Sequence, residues 1–215
     1  MTILPQPKER PISFSAPMVR AILDGRKTVT RRQVKVQPRS RADIGSYGKG
    51  QPFNRNPDVT KRNPECPFGK PGERLWVRET WYYDHSEVMS GPYLKPEDLD
   101  ISEARDDGTL VYAADGLTLY ETDQAVWKPS IHMPRWAWRI LLEITDVRVE
   151  RLQDISRADI RAEDLQCPPE LASDDVSPNY RDWYPAASRK LWESTGGDWD
   201  ANPWVWVVEF KRVTP

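Results

Sequence analysis

The sequence contains few of the side chains that bind metals or form disulfides. Its 215 residues include two histidines and two cysteines. His85 and His132 belong to no His-Glu-x-x-His or Cys-x-x-Cys pattern, so the common zinc motifs are excluded. Cys66 and Cys167 lie far apart and each is adjacent to a proline. A lone disulfide is compatible with this spacing, but two reduced thiols in a cytosolic protein fit it better. We expect no metal site.

Long apolar runs, glycine-rich phosphate loops and a large net charge are also missing. No stretch is long enough to cross a bilayer, and the first residues lack the basic and apolar regions of a signal peptide. We therefore expect a cytoplasmic protein without a membrane partner. Neither Gly-x-Gly-x-x-Gly nor Gly-x-x-x-x-Gly-Lys-Ser/Thr occurs, so nucleotide-phosphate folds are unsupported. A formal net charge of −2 argues against a protein that holds nucleic acid by charge alone.

The composition favours one compact domain with long irregular surface loops. Hydrophobic residues make up 38% of the chain, charged residues 30%, and there are 20 prolines. We expect a flexible N-terminal arm at 1–10 and a single domain at 11–215. Segments at about 37–70 and 83–130 are predicted to be insertions. The ten tryptophans fit either a pocket for a flat ligand or a hydrophobic core, and large aromatic side chains favour the core.

The hydrophobic pattern indicates many short strands with two or three helices, which is typical of an α+β domain built on a small barrel. A first helix is predicted after Ser15, to be ended near Asp24 by Gly25 in the left-handed conformation. Ser156 and Asp159 form the capping box of a second helix, with Ile155 and Ile160 as a hydrophobic staple. The remaining predicted elements are strands at 11–14, 28–36, 73–82, 110–113, 118–120, 136–151 and 204–211, and a helix at 181–192.

The segment 25–32 carries the densest group of chemically active side chains. It reads Gly-Arg-Lys-Thr-Val-Thr-Arg-Arg. Around it, residues 20–41 hold eight basic side chains against one acid, Asp24. A lysine near a threonine can turn the threonine hydroxyl into a nucleophile, and the arginines can bind an anion or a polar ring. The alternative is a helix C-cap followed by a solvated basic strand.

This segment and its surroundings resemble the ASCH-domain family. The resemblance covers the helix, the Gly-x-Lys-x-x-Thr-x-Arg segment, a Pro-Gly-Glu-x-Leu-x-Val strand, a long strand that leads into a capped helix, and a terminal Val-x-Glu-Phe-Lys strand. The family signature has glutamate at the position of Thr30. A bacterial branch, the N(4)-acetylcytidine amidohydrolases, has threonine there, in the motif Gly-Arg-Lys-Thr-Ile-Thr-Ile-Arg. In this chain Arg31 replaces an isoleucine of that motif.

The resemblance implies a PUA-like β-barrel and a hydrolase that acts on a linear amide without metal or organic cofactor. It implies that Lys27, Thr30 and Glu163 are the catalytic residues, the last found by counting from Glu143-Ile144-Thr145. It covers about half of the chain, because the branch enzymes are about half as long. The segments 37–70 and 83–130 have no counterpart there. Longer forms that resemble this chain occur among phage and prophage proteins.

The chemistry of an amide hydrolase is consistent with these residues. Thr30 would supply the nucleophile, and either Lys27 or Glu163 the base. Lys27 accepts a proton only when neutral, whereas a carboxylate beside it favours the ammonium. Residues three apart in a regular strand point to opposite faces. We therefore predict that Lys27 lies in the turn after Gly25, or that a bulge redirects one side chain.

Four further residues are candidates for substrate binding: Arg26, Arg32, Glu79 and Trp81. Arg32 would bind the pyrimidine carbonyl or the oxyanion, with a structural ion pair as the alternative. Glu79 is predicted to face inward with Leu75 and Val77, where it needs a partner, for example Lys27 or Arg32, or a cross-strand cation. Trp81 would stack on a base, with core packing as the alternative.

The sequence therefore predicts an amidohydrolase that removes the acyl group from N(4)-acylcytidine or N(4)-acylcytosine and yields cytidine or cytosine and a carboxylate. Its partner would be a small nucleoside or nucleobase. The alternative is a non-catalytic ASCH module of phage origin that binds RNA, DNA or a modified nucleotide, because residues 20–41 are basic. The oligomeric state is not predicted.

Overall fold

The computed structural model describes residues 7–83, 101–106, 108–116, 127–165 and 180–214. These residues contain nine strands and four helices. The strands are β1 (Glu9–Ser13), β2 (Val29–Gln33), β3 (Ile44–Ser46), β4 (Pro52–Asn54), β5 (Arg74–Arg78), β6 (Trp81–Tyr83), β7 (Leu110–Tyr112), β8 (Leu141–Arg151) and β9 (Trp204–Val213). The helices are α1 (Ala16–Leu23), α2 (Ile101–Asp106), α3 (Arg157–Ala162) and α4 (Tyr180–Ser194).

The chain divides into two compact units, which we describe separately. The first unit consists of Met1–Asp24, Arg74–Leu142 and Arg212–Pro215. The second unit consists of Gly25–Glu73 and Glu143–Lys211. The single domain expected for residues 11–215 stays a prediction, as does the arm at 1–10. Within that arm, the residues from Glu9 onward belong to β1.

The first unit contains one parallel and one antiparallel pair of strands. β1 runs parallel to β5, with Glu9 opposite Arg74 and Ser13 opposite Arg78, and β6 runs antiparallel to β7. Side chains of β5 alternate between half-buried and buried, as expected for a strand with one covered face. A hydrophobic cluster includes residues of β6 and β7, and it consists of Trp81, Tyr83, Ala104, Leu110, Tyr112, Met133 and Ala137.

The second unit is built on consecutive strands in the order β8-β9-β2. β2 runs antiparallel to β9 in an unbroken register, from Val29 opposite Glu209 to Gln33 opposite Val205. One face of this pair packs into a hydrophobic cluster of Val29, Leu152, Trp199, Val205 and Val207. The segment predicted as an insertion at 37–70 contains the short antiparallel pair β3–β4.

Most predicted elements are present with shifted ends. α1 ends before Gly25, whose φ of 73° lies in the left-handed region. β2 ends at Gln33 instead of position 36. The predicted strand at 136–151 begins only at Leu141, because Arg135–Ala137 form a turn of 3-10 helix after Pro134. The predicted strand at 118–120, together with His85 and Cys167, lies outside the described residues, and Cys66 is buried.

The α+β class is thus confirmed. A closed barrel is not present among the described strands, and the PUA-like barrel stays a prediction. No helix within the described ranges combines the length and the apolar character needed to span a membrane.

Candidate functional site

Lys27 lies in the segment that connects Gly25 to β2. The backbone N–H of Thr28 donates to the carbonyl of Ala162 (2.8 Å), and the carbonyl of Thr28 accepts from the N–H of Phe210 (2.9 Å). These two bonds attach the segment to the end of α3 on one side and to β9 on the other. Lys27 is therefore held outside the regular strand, in the turn region that the sequence predicts.

Glu163 is the C-cap of α3 and directly follows its last residue, Ala162. The helix begins after Ser156, whose hydroxyl accepts from the N–H of Asp159 (3.1 Å), as the predicted cap requires. Ile155 and Ile160 pack in one cluster, which agrees with the predicted staple. The N–H of Glu163 donates to the carbonyl of Asp159 (2.7 Å). Glu163 is 8% exposed, so its side chain is not on an open helix face.

Lys27 and Glu163 form a buried ion pair, although they are 136 residues apart. Lys27 Nζ lies 2.8 Å from Glu163 Oε2, and the two side chains are 1% and 6% exposed. The same ammonium also donates to the backbone carbonyl of Glu163 (3.3 Å). Burial of either charge alone would cost several kcal/mol of desolvation free energy. The attraction between the two charges offsets this cost.

Arg31 joins this pair and was not among the site residues predicted from the sequence. Its Nη1 donates to Glu163 Oε1 (2.8 Å), and its Nη2 donates to Asp159 Oδ2 (2.8 Å). The Arg31 side chain is 4% exposed. A single carboxylate, that of Glu163, therefore receives one cation at each of its two oxygens.

Asp159 extends the network to β8. Its second oxygen, Oδ1, accepts from Arg148 Nη2 (2.7 Å), and Arg148 Nε donates to Glu150 Oε1 (2.6 Å). Burial raises the pKa of Asp159, but the hydrogen bond from Arg148 and the positive charges of Arg31 and Arg148 outweigh it. As a result, the pKa of Asp159 lies below its ordinary value. Desolvation lowers the pKa of Arg148, yet its carboxylate partners raise it overall.

Thr30 is buried in β2, opposite Val208. Because the register of β2 and β9 is unbroken, the side chains of consecutive residues leave the strand on opposite faces. The Thr30 side chain therefore leaves β2 on the face opposite to that of Arg31. The predicted bulge is not present in β2. That Thr30 acts together with Lys27 and Glu163 stays a prediction.

Arg32 and Arg26 occupy different environments. Arg32 is half-buried, and burial lowers the pKa of its guanidinium while the charge of Glu163 acts in the opposite direction. Arg32 thus lies within electrostatic range of the Lys27–Glu163 pair. Arg26 is largely exposed and forms an ion pair with Asp164. Binding of substrate by either arginine stays a prediction.

Glu79 lies in the first unit and faces inward, as predicted, with an exposure of 1%. Lys27 and Arg32, two partners suggested for it, do not bind it; its partner is Arg139, which agrees with the alternative of an ion pair with another cation. Arg139 Nε and Nη2 bind the two Glu79 oxygens at 2.9 and 3.0 Å. The same guanidinium binds both oxygens of Asp115 (2.9 and 2.7 Å). Burial raises the pKa of Glu79, and the bonds from Arg139 only partly offset this.

Trp81 is 5% exposed and belongs to the hydrophobic cluster of the first unit. Its ring meets that of Trp136 edge to face, with centroids 5.8 Å apart. Lys128 Nζ lies 5.0 Å from the centre of the Trp81 ring. These contacts agree with the core-packing alternative, and base stacking by Trp81 stays a prediction.

A metal-binding arrangement is not found in the parts of the chain that the structure describes. There, no group of three or more His, Cys, Asp or Glu side chains is placed to hold an ion. The second unit buries the ammonium of Lys27, the guanidinium of Arg31 and the carboxylates of Asp159 and Glu163. Such groups are able to stabilise a developing negative charge and to transfer protons.

Comparison with known proteins assigns no family. No family model and no curated protein matches the chain. Among solved structures, the chain is similar to the crystal structure of protein EF3133 from Enterococcus faecalis V583, described as DUF984. The alignment covers 98% of this chain and 82% of that one, at 8% sequence identity and a TM-score of 0.37. An alignment this weak supports no conclusion about function.

Proposed function

We propose that the protein is a metal-independent amidohydrolase that removes the acyl group from N(4)-acylcytidine or N(4)-acylcytosine, with the reaction centred on Lys27 and Glu163. The observation that carries the proposal is the buried pair of these two residues, with Nζ and Oε2 2.8 Å apart. They are two of the three residues to which the ASCH resemblance gives a catalytic role. A PUA-like barrel is the finer fold that belongs to the same proposal.

The charges of the pair suggest separate roles. An ammonium that donates to a carboxylate has no lone pair with which to take up a proton, so Lys27 serves as a donor. It would stabilise the oxyanion formed at the acyl carbon. Glu163 serves as the proton acceptor for the attacking nucleophile. The bond between the acyl carbon and N4 then breaks, the amine takes up the proton, and free cytosine or cytidine leaves.

The nucleophile in this scheme is the Thr30 hydroxyl or a water molecule. Thr30 attack would give an acyl-threonine, which water then hydrolyses to release the carboxylate and restore the hydroxyl. The resemblance favours Thr30. The strand geometry favours water, because Thr30 leaves β2 on the face opposite to that of Arg31.

The test follows the ultraviolet spectra of N(4)-acetylcytidine and N(4)-benzoylcytidine in the presence of purified protein. The proposal requires turnover of at least one of them. If folded protein leaves both intact, the proposal fails. Thr30→Val, which keeps the shape but removes the hydroxyl, is then compared with Thr30→Ser, which keeps the hydroxyl. Activity lost in the valine variant and retained in the serine variant identifies Thr30 as the nucleophile, whereas activity in both identifies water.

A non-catalytic nucleic-acid module is the competing function, and the exposure of Lys35 and Arg39 is the observation that favours it. Arg31 does not contribute to such a surface, because it is buried among carboxylates. Arg39 in turn binds Asp43 through its Nε (3.2 Å). If this function is correct, Lys35→Glu weakens binding to single-stranded RNA or DNA and lowers its salt dependence, while no acylcytidine is hydrolysed.

A further inference from the structure

Glu163 differs from an ordinary ion-paired carboxylate because its two oxygens have separate, buried cationic partners. Oε2 accepts from Lys27 and Oε1 from Arg31, both at 2.8 Å. With both oxygens bound, the carboxylate is unable to rotate about its terminal bond without breaking a charge-assisted hydrogen bond. The orientation of Glu163 is therefore fixed from two sides.

Arg31 is itself held in place. Its Nη2 donates to Asp159 Oδ2 (2.8 Å) and lies 3.7 Å from Glu150 Oε2. The other oxygen of Asp159 is bound by Arg148. Charges of opposite sign thus alternate from Lys27 through Glu163, Arg31 and Asp159 to Arg148. One helical turn of α3 separates the two carboxylates, so a single guanidinium on β2 spans both.

From this arrangement we infer that Arg31 is a positioning residue: it fixes the orientation of Glu163 for the reaction, and Asp159 anchors Arg31. The inference rests on the proposed function. It concerns a residue that would not touch the substrate but would act through Glu163.

The charged groups that face Glu163 determine the pH dependence that follows. They are Lys27 from the segment before β2, Arg31 and Arg32 from β2, and, through Arg31, Asp159 of α3. Loss of one adjacent cation makes the protonated form of a carboxylate more favourable. If Glu163 must be ionised to accept a proton, removal of Arg31 raises the pH below which the rate falls.

The experiment compares Arg31→Met, Arg31→Lys and Asp159→Asn with the wild-type chain. Methionine keeps most of the apolar stem and removes the charge, whereas lysine keeps a charge but reaches only one carboxylate at a time. Arg189→Met is the matched control, because it removes an arginine from an exposed ion pair with Asp200. For each folded protein, kcat and KM for N(4)-acetylcytidine are measured across pH. The protonation of Glu163 is followed separately by ¹³C NMR of its carboxyl carbon.

We expect kcat of Arg31→Met to fall by about 10- to 100-fold with little change in KM, the scale expected for a slightly misplaced reacting group. Its acid limb should move to higher pH, because one of the two cations beside Glu163 is gone. Arg31→Lys should recover part of both effects, Asp159→Asn should show a smaller loss of kcat, and Arg189→Met should match wild type.

A different set of results overturns the inference. If kcat and the acid limb of folded Arg31→Met equal those of wild type, Arg31 does not position Glu163. If the wild-type chain hydrolyses no acylcytidine, the proposed function fails, and the NMR measurement alone decides about Arg31. If the midpoint of the ¹³C signal of Glu163 against pH is the same in Arg31→Met and wild type, an effect of Arg31 on Glu163 is refuted. A midpoint at higher pH in Arg31→Met supports the effect without any enzymatic assay.

Discussion

Removal of Glu163 is expected to destabilise the protein more than removal of Lys27, although each substitution breaks the same ion pair. In Glu163→Gln, the Lys27 ammonium stays 1% exposed and retains only neutral oxygen partners. A buried charge that has lost its partner typically costs about 3–5 kcal/mol. In Lys27→Met, by contrast, the Glu163 carboxylate keeps Arg31 at Oε1. The cost there is one charge-assisted hydrogen bond, about 1.5–3 kcal/mol.

The double variant Lys27→Met/Glu163→Gln sharpens this prediction. It contains no unpaired ammonium, and Arg31 retains Asp159. Its free energy of unfolding should therefore be higher than that of Glu163→Gln alone, so that the second substitution partly rescues the first. A simple sum of the two single losses would be expected only if the groups did not interact.

The measurement is urea unfolding followed by tryptophan fluorescence at neutral pH. Arg189→Met serves as the surface control, and its exposed ion pair should contribute at most about 1 kcal/mol. The prediction is refuted if Lys27→Met is destabilised as strongly as Glu163→Gln. It is also refuted if the double variant loses the sum of the two single effects.

Three further predictions concern pH dependence and backbone conformation. The pKa of Asp159 lies below its ordinary value of 3.8 in the folded state. The Asp159 carboxylate therefore stabilises the fold above pH 3.8, and this stabilisation is lost as the pH falls through the folded pKa. Asp159→Asn should flatten the acid side of a plot of stability against pH. The pKa of Glu79 is raised above its ordinary value of 4.5, so stability should fall as pH rises from that value through the folded pKa, and thermal unfolding of Glu79→Gln should lack this slope. Gly25→Ala places a Cβ at a φ of 73° and should cost about 1 kcal/mol in urea unfolding, with a smaller loss for Gly25→Asn.

Local signals in the sequence were sufficient for elements with clear ends. Ser156 and the Ile155–Ile160 pair located the start of α3, and Gly25 located the end of α1. In each case a short-range steric or hydrogen-bonding requirement selects the residue. Strand ends were less well predicted, because alternation continues through Trp138 and Ile140 although β8 begins only at Leu141.

Long-range partners were harder to predict. The pairing of Lys27 with Glu163 was anticipated only through the resemblance, since periodicity does not report which strand meets which helix end. Arg31 was missed because it lies in a basic segment that resembles a solvated strand, and because the related motif has isoleucine there. Asp159 was interpreted only as a capping residue, so its two arginine partners left no trace in local spacing. Arg139 lies 60 residues from Glu79, and no pattern linked the two.

Whether Lys27 and Glu163 carry out the reaction is decided by the release of cytidine from N(4)-acetylcytidine by the wild-type chain, Lys27→Met and Glu163→Gln, with Arg189→Met as control. We expect turnover by wild type and Arg189→Met, and a loss of about 100-fold or more in the other two, because a charge-stabilising or proton-transferring group is removed. Full activity in folded Glu163→Gln, or a folded wild-type chain that releases no cytidine from either N(4)-acetylcytidine or N(4)-benzoylcytidine, would contradict this assignment.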